Sequence, residues 1–259
     1  MKFIQRHKAA LTEMGYYCGS PKNNGEFKLL NKISKNFQVF IDVGFYKGLI
    51  TKNILKRNKK IKVYGFDLNF KSKIRKKNLI LINCGLHKFN TKKIAYIYKK
   101  RPELSSLAVR RDYNPSIQKN YSKKKLKLIS LDFFLKKNEL MSKKILIKID
   151  AEGSERDIIF GLKKSIKRSN LSGYFEYSSG WKNFNATLKE VFHFLKESKY
   201  NVFRLTKNGL IEMRYFTYMD EIYSQSHFFF TKEDLTKLGF KKKKIFSLTS
   251  DKKENIYKY

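Results

Sequence analysis

Four acid and amide residues fall where apolar strands run out: Asp42, Asp67, Asn83 and Asp150. Asp42 ends Val39-Phe40-Ile41 and opens the turn D-V-G-F-Y-K-G, which carries Gly44 and Gly48. Asp67 ends Val63-Tyr64-Gly65-Phe66, Asn83 follows Leu79-Ile80-Leu81-Ile82, and Asp150 follows Ile145-Leu146-Ile147-Lys148-Ile149. In open α/β sheets ligands bind beyond the carboxyl ends of the strands. Four separate strand ends therefore bring these side chains to one rim.

The turn after Asp42 offers free backbone N–H groups at a helix start, which suits a nucleotide-like ligand. A pyrophosphate cofactor asks for G-x-G-x-x-G with no anion beside it. Here the pattern is D-x-G-x-x-x-G, and a fixed carboxylate repels pyrophosphate. It attracts a cation such as S-adenosylmethionine, which carries an ammonium and a sulfonium. Asp67 lies about 20 residues beyond the glycine turn, where such folds place an acid on ribose hydroxyls. The plainer alternative is that Asp42 and Asp67 each cap the helix that follows.

The segment Ile147-Lys148-Ile149-Asp150-Ala151-Glu152-Gly153 is a second candidate for chemistry. A lysine within a buried strand is costly unless paired, so Lys148 needs a neighbouring acid or a substrate oxygen. Asp150 and Glu152 have the chemistry of a base, an orienting group or a metal ligand. Alternatively, Glu152 caps the next helix and Lys148 points out from a sheet face. The histidines, His7, His87, His193 and His227, show no ligand spacing, so no metal is expected.

Positioning these side chains requires alternating strands and helices. Val39 to Ile41 is short, β-branched and aromatic, as a strand buried on both faces is. Leu49, Ile50, Ile54 and Leu55 recur at helical spacing behind it. Strands are expected at Ile61 to Phe66, Leu79 to Ile82, Ile94 to Tyr98, Leu126 to Ile129, Ile145 to Ile149 and Leu171 to Tyr177. Helices are expected at Asp132 to Leu140, from Ser154-Glu155 with Ser154 as cap, and over Phe184 to Leu195. Closing strands follow at Tyr200 to Leu205, Leu210 to Phe216 and Ser226 to Phe230. Residues 99–125 hold Pro102, Pro115 and little periodicity, and a loop of that length is usually functional; Ser105-Ser106-Leu107 in it reaches over a ligand. The expectation is an α/β fold with a mostly parallel central sheet, helices on both faces and an antiparallel edge. A helical lead-in over 1–36, with helices at Lys8 to Tyr17 and Glu26 to Ile33, precedes a single domain over 37–259.

Bulk composition narrows the setting. There are 259 residues, 41% hydrophobic, enough for one sizeable core. Two cysteines, Cys18 and Cys84, without C-x-x-C argue against a disulfide framework or structural zinc and fit a reducing, cytoplasmic compartment. The start M-K-F-I-Q-R-H-K lacks the apolar region of a signal peptide. A formal charge of +36 attracts an acidic polymer or an anionic membrane surface. The lysines sit in short clusters such as Lys241 to Lys244 and do not interleave with aromatics as in single-strand binding faces, so no specific nucleic-acid partner is expected.

The stretches V-F-I-D-V-G-F-Y-K-G-L-I-T (39–51), V-Y-G-F-D (63–67), I-N-C-G-L (82–86) and L-I-K-I-D-A-E-G-S-E (146–155), with Gly161 closing I-I-F-G, resemble the FkbM family of S-adenosylmethionine-dependent methyltransferases. The resemblance spans roughly residues 26 to 205. The family has a small residue and a polar one where this chain has Phe45 and Tyr46, and Glu-Pro where it has Asp67-Leu68. The resemblance implies a Rossmann-like class I methyltransferase fold and an O-methyltransferase acting on a sugar or natural-product hydroxyl. It implies that Asp42, Gly44 and Gly48 line the methionine end of the cofactor and that Asp67 holds the ribose. It further implies that Asn83, Cys84 and Gly85 lie near the adenine, and that Asp150, with Glu152, faces the acceptor. Two other readings stand beside it: an RNA methyltransferase, from the charge, and a non-catalytic binding protein, from Phe45 and Tyr46.

Overall fold

The computed structural model describes residues 11–16, 19–69, 74–168, 170–246 and 253–259. His7 and Cys18 lie outside them, as do residues 8–10 and 17 of the expected first helix; residues 11–13 are helical.

The core is one sheet of eleven strands. Its centre is parallel: β9 (Leu171–Tyr177), β8 (Ile145–Ile149), β1 (Val39–Val43), β2 (Lys62–Phe66) and β4 (Leu79–Ile82), side by side in that order. Register places Asp42 beside Gly65 on one side and Lys148 on the other. β3 (Ile74–Lys76) closes one edge antiparallel to β4. On the other side β12 (Ser226–Thr231), β10 (Asn201–Thr206), β11 (Gly209–Met213), β14 (Lys253–Lys258) and β13 (Lys241–Phe246) are all added antiparallel. A second sheet pairs β5 (Gly85–Leu86), β7 (Ser122–Ile129) and β6 (Thr91–Ile97).

The sheet is therefore mixed rather than mostly parallel. In the centre, helices Leu49–Arg57 and Glu155–Phe160 carry the chain from β1 to β2 and from β8 to β9, as parallel neighbours require. β10 and β11 join through a tight turn at Lys207-Asn208, which forces antiparallel pairing. Lys241 to Lys244, expected as a solvated cluster, are the exposed start of edge strand β13. Charged side chains on an edge strand discourage pairing with a second sheet.

Alternation along the central strands builds two cores. Val39, Ile41, Val43, Ile147, Ile149 and Phe175 face one, which is covered by α4 (Leu131–Lys137), α5 (Glu155–Phe160) and α6 (Leu188–Glu197). Phe40, Leu146, Tyr174 and Phe229 face the other, covered by α1 (Glu26–Ile33) and α2 (Leu49–Arg57). Helices thus lie on both faces. The irregular stretch after β6 holds only a 3-10 turn at Pro102–Leu104 and one turn of helix, α3 (Pro115–Gln118). No helix among the described residues is long and apolar enough to cross a membrane.

Candidate active site

The turn after β1 is set by close packing. Gly44 and Phe45 both donate backbone N–H to the Phe66 carbonyl, at 2.9 and 3.0 Å. Gly44 has φ +76°, and a Cβ there would lie 1.7 Å from the Asp150 carbonyl oxygen. Only glycine lets β1 and β8 end this close together. The large ring of Phe45 is accommodated by glycines: a Cβ on Gly48 or Gly65 would meet it at 2.3 or 2.6 Å. Tyr46 and Glu152 both hold left-handed backbone, φ +46° and +56°, which costs a side-chain-bearing residue about 1–2 kcal/mol.

Tyr46, Asp67, Asp150 and Glu152 all line one cavity of about 140 Å³ at the carboxyl ends of β1, β2 and β8. Gly44, Cys84 and Gly85 line it as well. Leu68, Leu86, Leu107 and Ile158 give it an apolar side, and Pro102, Glu103 and Ser105 bring the irregular loop across it. Its acids are Asp67, Glu103, Asp150 and Glu152, and among the described residues it has no lysine, arginine or histidine. Yet more than a fifth of the chain is Lys or Arg. The wall therefore favours a cation or a hydroxyl-rich ligand over an anion.

Asp67 is braced for this position. One carboxylate oxygen accepts the Tyr46 N–H at 2.7 Å, the other the Asn69 N–H and side-chain amide at 2.8 and 3.0 Å. The oxygen that accepts from Tyr46 keeps a further lone pair for the cavity. Burial pushes the Cys84 thiol up, so this cavity-lining sulfur is an inert neighbour rather than a nucleophile.

Asp42, Gly48, Asn83 and Lys148 do not line the cavity. Asp42 is 1% exposed; Thr51 donates to its Oδ2 at 2.7 Å, and Lys148 Nζ lies 3.3 Å from Oδ1. Its charge meets Lys148 before it meets a ligand, which corrects the expectation that this carboxylate attracts the ligand directly. Burial raises its pKa, against the pull of Lys148 and Thr51. Lys148 is buried, not turned out from the sheet. It also lies 3.3 Å from Asp150 Oδ2 and donates to the Gly44 carbonyl at 2.9 Å. Burial disfavours its charge, but Asp150, Asp42 and Glu26 outweigh that and hold its pKa above the ordinary lysine range. Lys148 thus ties two strand ends together and positions Asp150.

Glu152 does not cap α5. It pairs with the buried guanidinium of Arg110, which also forks onto Asp112 at 2.7 and 2.9 Å. Burial opposes the Asp112 carboxylate, yet Arg110, Asn183 and Ser179 bring its pKa down to about 2. Ser106 Oγ donates to the Glu152 carbonyl at 2.8 Å. The irregular loop is thus pinned to the rim by a buried arginine, while its Ser105 and Leu107 face the cavity. Ser154 makes no capping bond; Glu155 instead accepts the Ala151 N–H at 2.6 Å. Arg110, Asp112, Glu155 and Glu176 were not singled out from sequence as site residues. Their clearest signal was an Arg-Asp pair in a proline-bearing loop, and that pair reaches Glu152, Ser179 and Asn183 only through the fold.

The structure is similar to the crystal structure of an FkbM methyltransferase from Methylobacillus flagellatus KT. That likeness has 12% identity and TM-score 0.39, covering 75% of this chain and 44% of that one. It is also similar to a precorrin-6y C5,15-methyltransferase from Geobacter metallireducens GS-15, at 9% identity and TM-score 0.38, covering 80% and 88%. The chain thus spans less than half of the first of these. No curated protein sequence matches it. The profile of the methyltransferase FkbM domain matches residues 42–203, well over half of the chain and including Asp42, Asp67 and Asp150, so the chain belongs to the FkbM methyltransferase family.

Proposed function

We propose that the chain is an S-adenosylmethionine-dependent O-methyltransferase of Rossmann-like fold, acting on a hydroxyl of a sugar or another small polyhydroxylated acceptor. The observation that carries this reading is the cavity lined by Asp67, Glu103, Asp150 and Glu152, with no lysine among its described residues, on a strongly basic chain. S-adenosylmethionine is cationic and hydroxylated with one apolar ring system, and the lining residues fit each part. Asp67 suits the ribose hydroxyls, Leu68 and Leu107 suit the adenine, and the Asp150–Glu152 side suits the charged methionine end. Gly44 and Gly85 let the cavity wall pack closely: a Cβ would lie 1.7 Å from the Asp150 carbonyl oxygen at the first and 2.3 Å from Leu128 at the second.

When bound, that cofactor supplies a methyl group already activated on sulfur. What remains for the chain is to orient the acceptor and receive its proton. Asp150 is the group for the proton, because its carboxylate lines the cavity and is partly exposed. Lys148 at 3.3 Å fixes that carboxylate and pairs with its charged form. Glu152, held by Arg110, borders the acceptor side. A neighbouring hollow of about 340 Å³ shares Leu107 with the cavity and presents Asn183, Asn185 and Lys182, which suits a hydroxylated acceptor.

Asp150→Asn tests the assignment. Cofactor binding is expected to stay within a few-fold of wild type by calorimetry. Transfer of a labelled methyl group to sugar acceptors should fall about 10²–10⁴-fold. Equal loss of binding and transfer would make Asp150 a structural residue.

A further inference from the structure

Beneath the cavity three carboxylates converge without a matching cation. Asp150 ends β8, Glu155 opens α5 and Glu176 lies near the end of β9. Each places an oxygen within 4.8 Å of the other two. Glu155 is fully buried; the Ala151 N–H occupies Oε1, and Oε2 is buried with no hydrogen-bond partner. Gln225 donates to Glu176 at 2.8 Å. Three basic groups lie nearby: Lys148 is shared by Asp42 and Asp150, Arg110 by Asp112 and Glu152, and His227, which stands beside Glu176 and favours its charge, also lies 3.7 Å from Glu26. No ion pair to Glu155 is present among the described residues. A buried carboxylate oxygen with nothing bound to it is expensive, so the cluster is built around something it takes up.

We propose that Asp150, Glu155 and Glu176 form a site for one divalent, oxygen-seeking cation at the floor of the cavity. All three donors are carboxylates, which selects hard ions over zinc or copper. Three oxygens spread evenly around Ca²⁺ are about 4.0–4.5 Å apart, and around Mg²⁺ about 3.5–3.6 Å. A cluster within 4.8 Å thus closes on Ca²⁺ by a slight contraction and on Mg²⁺ or Mn²⁺ by a larger one. Asp150 is partly exposed on the cavity wall, which gives the ion an access path and leaves its open coordination positions facing the cavity. Asp150 would reach the ion with one oxygen while Lys148 keeps the other, so holding the ion and receiving the acceptor's proton are alternative states of this carboxylate. Protons are the competing way to neutralise the cluster: burial and Glu176 push Glu155 up to about 8, and burial and Asp150 push Glu176 up to about 7. The site does not depend on the methyl-donor reading.

The test is titration of CaCl₂, MgCl₂ and MnCl₂ into chelator-treated full-length protein, read by calorimetry and by the thermal unfolding midpoint, with no cofactor present. At least one ion should bind at one per chain and raise the midpoint. Glu155→Gln and Glu176→Gln keep the side-chain shape and remove repulsion, so both should fold. Each should weaken the ion by at least about tenfold, the loss typical of even an outer-shell partner. Failure of all three ions to bind folded wild type at millimolar concentration would overturn the proposal and leave protons as the neutraliser. Wild-type affinity in both Gln variants would overturn it equally.

Discussion

Replacing Lys148 with methionine isolates the buried pair on which the site rests. The change removes an ammonium that lies 3.3 Å from both Asp42 and Asp150 and donates to the Gly44 carbonyl. Methionine fills similar volume, so the loss is electrostatic rather than a cavity. Asp150 is 32% exposed at its side chain and can rehydrate; Asp42 is 1% exposed and cannot. Removing one partner of a buried pair costs about 3–5 kcal/mol, and most of that should fall on Asp42. For a chain of this size it lowers the thermal midpoint by about 10 °C. Urea unfolding at constant m-value is the assay. Adding Asp42→Asn, which keeps the Thr51 contact, should recover at least about 2 kcal/mol through coupling of the two sites. The pH dependence has a definite sign. Asp42 already titrates above its unfolded value of 3.8, and without Lys148 it moves higher. The folded variant then takes up a proton that the unfolded chain does not, so its deficit should shrink as pH falls towards the ordinary carboxylate range. A cost below about 1 kcal/mol, or no recovery with Asp42→Asn, would refute the pairing.

Two further outcomes follow from the same network. Burial raises Glu155 to about 8 from 4.5, so its protonated form supports folding fully below 4.5 and progressively less as pH rises through 8. With chelator present, Glu155→Gln should therefore gain stability relative to wild type between pH 5 and 9 in urea unfolding; a constant difference would contradict the assignment. Arg110→Met should release the loop from the rim, because Asp112 and Glu152 lose their shared cation. Limited proteolysis should then cut within residues 99–121 at least about tenfold faster, since cleavage tracks the open population; an unchanged rate would place the loop's anchor elsewhere.

The parts of the fold that were legible in the sequence share a local cause. β1, β2, β4, β8 and β9 are short, mostly apolar runs rich in β-branched and aromatic residues, and the ends of β2 and β8 bring Asp67 and Asp150 to one cavity. The turn at Gly44 was readable because its glycine answers a backbone contact that nothing else satisfies. Other features depended on pairing across distance. Lys148 needed an acid, but only the β1–β8 register shows that Asp42 and Asp150 share it. Arg110 lies in the least regular stretch, and its partners Asp112, Glu152 and Tyr98 are joined only by the fold. β13 was hidden by lysine richness, since Lys241 to Lys244 read as solvent-facing charge whether or not they form an edge strand. The sheet was expected to be mostly parallel because helix–strand alternation dominates up to β9; beyond it, strands follow one another with few helices, and antiparallel pairs accumulate.

The central claim is that the acid-lined cavity binds S-adenosylmethionine through Asp67 and its neighbours. Calorimetric titration of S-adenosylmethionine into wild type and Asp67→Ala tests it most directly. One site per chain is predicted, weakened about 10–100-fold in the variant by loss of a charged hydrogen bond. Absence of binding to folded wild type, or equal affinity in the two proteins, would contradict it.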